Sequence, residues 1–131
     1  MLRALALAMV SYLAAAPQPT LRCEATQKID PSGPWDHDRL REGQWHVLLD
    51  ASTDPVIISR CSFAPSQGRV TCDDLTVDHV EEDLSIGVKK YYVFASQYDL
   101  QVFPNMSFVE NNGRESVTFG TCRRTDEGST A

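Results

Sequence analysis

The side chains able to do chemistry in this 131-residue chain are four cysteines, three histidines and an excess of carboxylates. Cys23, Cys61, Cys72 and Cys122 form an even set without a C-x-x-C pair, and His37, His46 and His79 lie at no ligand spacing from them or from one another. The pattern therefore predicts two disulfides in an oxidising compartment and no metal or cofactor. Several connectivities are possible in principle. Position favours Cys61–Cys72, because Pro65, Ser66, Gln67 and Gly68 form a turn cluster between two β-rich runs, so that a hairpin would bring these cysteines together. Cys23 and Cys122 then join the two ends of the domain. On the chain-entropy model a loop of about 100 residues contributes about 4.7 kcal/mol, against about 3 kcal/mol for a loop near fifteen residues.

Carboxylates supply the other candidates. Asp36 and Asp38 flank His37, an arrangement that could raise the histidine pKa or help hold a cation, although a solvated loop is the favoured reading. Asp73, Asp74, Asp78, Glu81, Glu82 and Asp83 follow one another without a lysine or arginine between Val70 and Val88. Such a stretch could attract a divalent ion or a basic partner, and otherwise serves as a charged edge that discourages strand addition. Asn105-Met106-Ser107 fits the glycosylation triplet. No G-x-S-x-G, H-E-x-x-H or Gly-rich phosphate loop is present, and no cysteine is left over as a nucleophile. Catalysis is accordingly the less favoured reading, with His46 or His79 as candidate base.

The elements that must position these residues read as strands. From Gln44 onward, short alternating or apolar runs rich in Val, Ile, Tyr, Phe and Thr are separated by Pro, Gly, Asn and Asp. The runs are Gln44 to Asp50, Val56 to Phe63, Arg69 to Cys72, Leu75 to Val80, Val88 to Ala95, Tyr98 to Phe103, Met106 to Glu110 and Glu115 to Gly120. Glu81-Glu82-Asp83 reads as an acidic turn, and the Val88 to Ala95 strand as covered on both faces. Asp36 to Glu42, after Pro31 and Pro34, is expected to make at most one helical turn. About eight strands predict an all-β domain: a single small antiparallel barrel or two-sheet sandwich with two disulfides. The barrel is favoured, because linking Cys23 to Cys122 sets the first and last strands side by side and removes two edges.

The last hairpin receives a specific register. Asn112-Gly113 suits a two-residue type I′ turn, which places Phe108 opposite Val117, Met106 opposite Phe119 and Glu110 opposite Glu115. A three-residue loop would pair Glu110 with Arg114 instead. Burial of apolar side chains at roughly 1.5–3 kcal/mol each outweighs an exposed charge pair worth about 0–1 kcal/mol, so the first register is expected. Glu110 and Glu115 are then a carboxylate pair and a possible binding site for a cation or partner.

Met1-Leu2-Arg3, the uncharged run from Ala4 to Leu13 and Ala14-Ala15-Ala16 read as a signal peptide over residues 1–16, with the cleavage bond open between Ala15 and Ala16. The run is shorter than the roughly 20 apolar residues a spanning helix needs. Residues 17–122 are expected to form one disulfide-bonded β domain, and residues 123–131, with no apolar side chain larger than alanine, a disordered tail. The net charge of −6, with 12 basic against 18 acidic residues, argues against nucleic acid and against an anionic membrane surface as partners.

The segment Lys89-Lys90-Tyr91-Tyr92-Val93-Phe94-Ala95-Ser96-Gln97-Tyr98-Asp99-Leu100-Gln101-Val102-Phe103, with Ser107-Phe108-Val109-Glu110-Asn111-Asn112-Gly113-Arg114 and Phe119-Gly120-Thr121-Cys122, resembles small uncharacterised exported proteins of alphaproteobacteria over roughly residues 88–122. The resemblance implies a bacterial, periplasmic location and no particular activity. Taken together, the sequence points to a monomeric periplasmic or secreted binding or interaction module, of which an inhibitor of an envelope or secreted enzyme is one version. A small hydrolase acting on an envelope component is the alternative. The partner is an unknown protein or small ligand in the envelope.

Overall fold

Turn residues divide the chain into short antiparallel strands, and over residues 46–76 and 79–124 each strand pairs with the next in sequence. A computed structural model describes residues 20–125. The expected signal peptide over 1–16 and the end of the expected tail, 126–131, lie outside the described residues. The elements are β1 (Thr20–Asp30), β2 (Gly33–Pro34), α1 (His37–Gly43), β3 (His46–Asp50), β4 (Ile57–Ala64), β5 (Arg69–Thr76), β6 (His79–Asp83), β7 (Val88–Val93), a 3₁₀ turn (Phe94–Ser96), β8 (Tyr98–Val102), β9 (Ser107–Asn111) and β10 (Val117–Arg124).

All the strands belong to one curled half-barrel sheet in the order β5-β4-β3-β1-β10-β9-β8-β7-β6, with β2 attached to β1. Of the two architectures expected from sequence, this is the single curled sheet rather than two packed ones. The two end strands are successive parts of one bent stretch of chain. Between them Val77 N–H donates to the Val56 carbonyl (2.9 Å) and Asp78 N–H to the Tyr92 carbonyl (2.8 Å), so this corner ties both ends of the sheet together.

β1 and β10 lie side by side, with Cys23 directly opposite Cys122, and β4 and β5 set Cys61 opposite Cys72. Both pairs are disulfide-bonded, with Cα atoms 3.9 and 4.1 Å apart. Inside the curl, Cys23, Leu49, Ile58, Leu100 and Phe108 are almost wholly shielded from water. Each apolar side chain of this size contributes roughly 1.5–3 kcal/mol on burial.

Strand ends share a local device. In Asp30-x-Ser32, Asp50-x-Ser52, Asp83-x-Ser85 and Asn105-x-Ser107, the Asx Oδ1 accepts from the backbone N–H and the hydroxyl of the serine two residues on. The side chain thereby satisfies a backbone donor that the ladder leaves free where the chain turns. This is what Asn105 of the glycosylation triplet does in the fold.

Several expectations need correction. The helix runs for seven residues, because Asp36 caps it by accepting from Arg39 N–H and Leu40 is buried beneath it. Glu81, Glu82 and Asp83 belong to strand β6, and the turn follows them. β7 is covered on both faces only at its start: Tyr91 and Val93 are buried on the inner face, whereas on the outer face Val88 is buried but Lys90 and Tyr92 are only half-buried. Arg123 and Arg124, expected in the tail, extend β10 and pair with Arg22 and Leu21.

The β9–β10 register also differs. Asn111 faces Val117, Glu110 faces Thr118 and Phe108 faces Gly120, with a five-residue loop over 112–116. Asn112 closes that loop, its Oδ1 accepting from Arg114 N–H and Ser116 N–H. Gly120 explains why this pairing wins. A Cβ there would lie 1.9 Å from the Glu24 carbonyl oxygen and 2.6 Å from Phe108 Cε1, so the missing side chain is the space the Phe108 ring uses. Phe119 consequently points outward, and Glu110 and Glu115 are not a pair.

Candidate functional site

A bulge in β1 decides which polar groups enter the interior. Leu21 and Cys23 point inward by simple alternation, which would send Gln27 in and Lys28 out. The register slips by one residue between Ala25 and Gln27, and Lys28 turns inward opposite Thr118. Its ammonium sits 3.8 Å from the Trp45 ring centroid and 4.7 Å from that of Trp35. Burial lowers the Lys28 pKa, with the Glu110 carboxylate acting in the opposite sense. Arg39 from α1 also lays its guanidinium over Trp35, 3.6 Å from the ring centroid, and the indole N–H donates to Asp30 (2.8 Å).

Glu110 lies deeper, beside Thr118 on the neighbouring strand. It accepts from Arg60 Nε (3.1 Å), Arg60 Nη2 (3.2 Å) and the Tyr98 hydroxyl (2.6 Å). Burial first, and then the Glu110 charge, push the Tyr98 pKa well above its ordinary value. His46 and Glu110 do line one chamber, together with Arg60, Trp45 and Thr118. It measures about 10 Å³, room for roughly one water. The His46 ring is held through Nδ1 by the Gln44 carbonyl (2.6 Å). This arrangement satisfies a buried carboxylate and leaves no space for a substrate beside it.

The other candidates are dispersed. His37 and Asp38 are exposed on α1, where Asp38 pairs with Arg41 (2.9 Å). Of the acidic stretch, Asp73 and Asp74 are on β5, where Asp73 lies opposite Arg60 and Asp74 accepts from the Ser59 hydroxyl (2.6 Å). Asp78 accepts from Phe94 N–H (2.8 Å) at the corner. On β6, Glu81 and Glu82 face Lys90 and Lys89 across the strand pair. The six acids thus divide between the two end strands of the sheet and the corner joining them, and the structure gathers them into no single site. Among the described residues no group of three or more His, Cys, Asp or Glu side chains is placed to hold a metal ion. Glu115 is exposed in the β9–β10 loop with φ +67°.

The β6–β7 hairpin has a different character. All of β6 is exposed, and the turn beyond it carries Leu84 at 85% and Ile86 at 62% exposure. Leu84 has the largest exposure among the big apolar side chains described, and Ile86 is matched only by Phe94 at 63%. The turn is nonetheless fixed. Asp83 Oδ1 accepts from Ser85 N–H (3.0 Å) and the Ser85 hydroxyl (2.6 Å), and the Asp83 carbonyl accepts from Ile86 N–H (3.3 Å) and Gly87 N–H (2.7 Å). Gly87 has φ +72° and sits so close to Pro104 that a Cβ would lie 2.8 Å from Pro104 Cγ. Sequence reasoning missed this tip because it ended the strand at the acids; the signal available was an apolar pair, Leu84 and Ile86, inside a turn.

No family model, curated protein or solved structure matches the chain. Its two disulfides fit an oxidising compartment. No helix among the described residues is long and apolar enough to cross a membrane.

Proposed function

We propose that this protein is an exported, disulfide-tied interaction module that presents the β6–β7 tip to an apolar cleft on a protein partner in the periplasm or outside the cell. The observation that carries the reading is the exposure of Leu84 and Ile86 on a turn already held by Asp83 and Gly87. Large apolar side chains on a preordered turn gain roughly 1.5–3 kcal/mol each on entering a cleft, with little ordering entropy lost. The acidic strand leading to the tip adds selectivity for a cleft with a basic rim. An envelope or secreted enzyme blocked at its cleft is the version that best suits a rigid finger of this kind.

The test is capture from envelope extract on immobilised, oxidised protein, comparing the natural chain with a Leu84→Asp/Ile86→Asp variant. We expect a protein retained by the former and lost by the latter, with both melting at the same temperature because neither side chain is packed in the core. Identical retention by the two would overturn the reading.

A further inference from the structure

Three rings meet at the base of the same hairpin, on the outer face of the sheet. His79 and Tyr92 face each other across β6 and β7, and Phe94 follows as β7 ends. Their centroids are 5.9 Å (His79 to Tyr92), 6.1 Å (Tyr92 to Phe94) and 6.4 Å (His79 to Phe94) apart, with planes within 20–25° of one another. Three rings in one column would leave the outer pair about twice as far apart as neighbours. Near-equal separations mean a triangle whose faces are turned nearly the same way. The cluster is not core: His79 is exposed, Phe94 is 63% exposed and Tyr92 is half-buried.

The cluster is also held in place. Phe94 N–H is fixed by Asp78 Oδ2 (2.8 Å), and the Tyr92 hydroxyl reaches Glu81 (3.4 Å). Strand register extends the same outer row from Tyr92 to Asp99 and from Asp99 to Asn111, while the adjacent row runs from Glu81 to Lys90 and Gln101. The platform is therefore bordered by the carboxylates of Asp78, Glu81 and Asp99, the carboxamides of Gln101 and Asn111 and the ammonium of Lys90.

We infer that this face binds carbohydrate, with the apolar C–H face of a pyranose ring stacked on Phe94 and His79, and its hydroxyls bonded by Asp99, Asn111 and Gln101. The chemistry selects this ligand class. Exposed aromatic faces turned nearly the same way accept an apolar C–H face, and a border holding both donors and acceptors matches hydroxyls, which are both. A cationic guanidinium would also stack, but it would find Lys90 in the border, and of the three carboxylates there Asp78 and Glu81 are already engaged by Phe94 N–H and the Tyr92 hydroxyl. This inference is independent of the tip, because Leu84 and Ile86 lie at the opposite end of the hairpin.

The test is an aromatic NMR titration of the oxidised protein with cellotriose, maltotriose and chitotriose at millimolar concentration. We expect saturable shifts of the Phe94, Tyr92 and His79 ring signals with at least one of them, and binding about tenfold weaker in Phe94→Ala, as loss of one stacked ring implies. Phe94 is exposed enough for that variant to keep the fold. Leu84→Asp should leave the titration unchanged, which separates this site from the tip. Absence of shifts with all three sugars, sugar affinity unchanged by Phe94→Ala, or shifts produced only by N-acetylarginine amide would each overturn the proposal.

Discussion

Arg60 on β4 and Glu110 on β9 meet across the interior through two hydrogen bonds, Nε to Oε2 at 3.1 Å and Nη2 to Oε1 at 3.2 Å, although fifty residues separate them in the chain. β3, β1 and β10 intervene in the sheet, so only its curl can bring the two together. With Tyr98 as a third donor both carboxylate oxygens accept hydrogen bonds, and Lys28 supplies further positive charge nearby. The cluster holds opposite walls of the half-barrel in one relative position.

Breaking it should be costly. Glu110→Ala leaves Arg60 and Tyr98 facing a buried gap, and removal of one partner of a buried pair typically destabilises by about 3–5 kcal/mol. Replacing Arg60→Met, Glu110→Leu and Tyr98→Phe together should recover part of that loss, since Arg60 and Tyr98 no longer face a missing carboxylate, while Lys28 still loses the Glu110 charge. Urea unfolding of the two variants measures the difference; equal losses would show that the cluster is not a coupled unit.

Tyr98 gives the cluster a pH signature. Its folded-state pKa is raised, by burial first and then by Glu110. A raised pKa means that the folded state holds the proton more tightly, so the stabilisation is complete below the unfolded value of about 10 and declines as pH rises above it. At neutral pH, Tyr98→Phe should cost about 1.5–3 kcal/mol, the usual range for a hydrogen bond to a charged group. The stability gap between the natural chain and Tyr98→Phe should narrow as pH rises from 9 toward 11, roughly the range around the tyrosine pKa. A gap that widens there would contradict the assigned hydrogen bond.

The two disulfides should differ in weight. Cys23–Cys122 spans a sequence separation of 99 and Cys61–Cys72 one of 11. Loop-closure entropy assigns them about 4.7 and about 3 kcal/mol. The Cys23→Ser/Cys122→Ser variant should therefore melt below Cys61→Ser/Cys72→Ser. The gap should be larger still, because Cys23 is wholly buried whereas Cys72 is exposed. Calorimetry on the two double variants checks the order.

Periodicity and spacing alone determined that the chain is all-β and that its last third is an antiparallel meander, and they favoured the pairing of Cys61 with Cys72 and of the end cysteines that the fold shows. These features follow from nearest-neighbour chemistry: alternation sets strands, Pro, Gly, Asn and Asp set turns, and an even cysteine set at suggestive positions sets the bridges. The register of β9 on β10 was within reach of the same reasoning. With Cys122 bonded inside, Gly120 and Thr118 share its inward face and Val117 and Phe119 cannot, a parity that the Asn112-Gly113 turn preference overrode. The role of Glu110 was not within reach. Its partners come from β4, from β8 and, through a one-residue bulge, from β1, and no local pattern specifies where a bulge slips or which strands a curled sheet sets opposite each other. The exposed tip and the three-ring cluster belong to the same category: exposure and ring geometry are properties of the assembled sheet, decided by which face each strand presents once the core has taken the other.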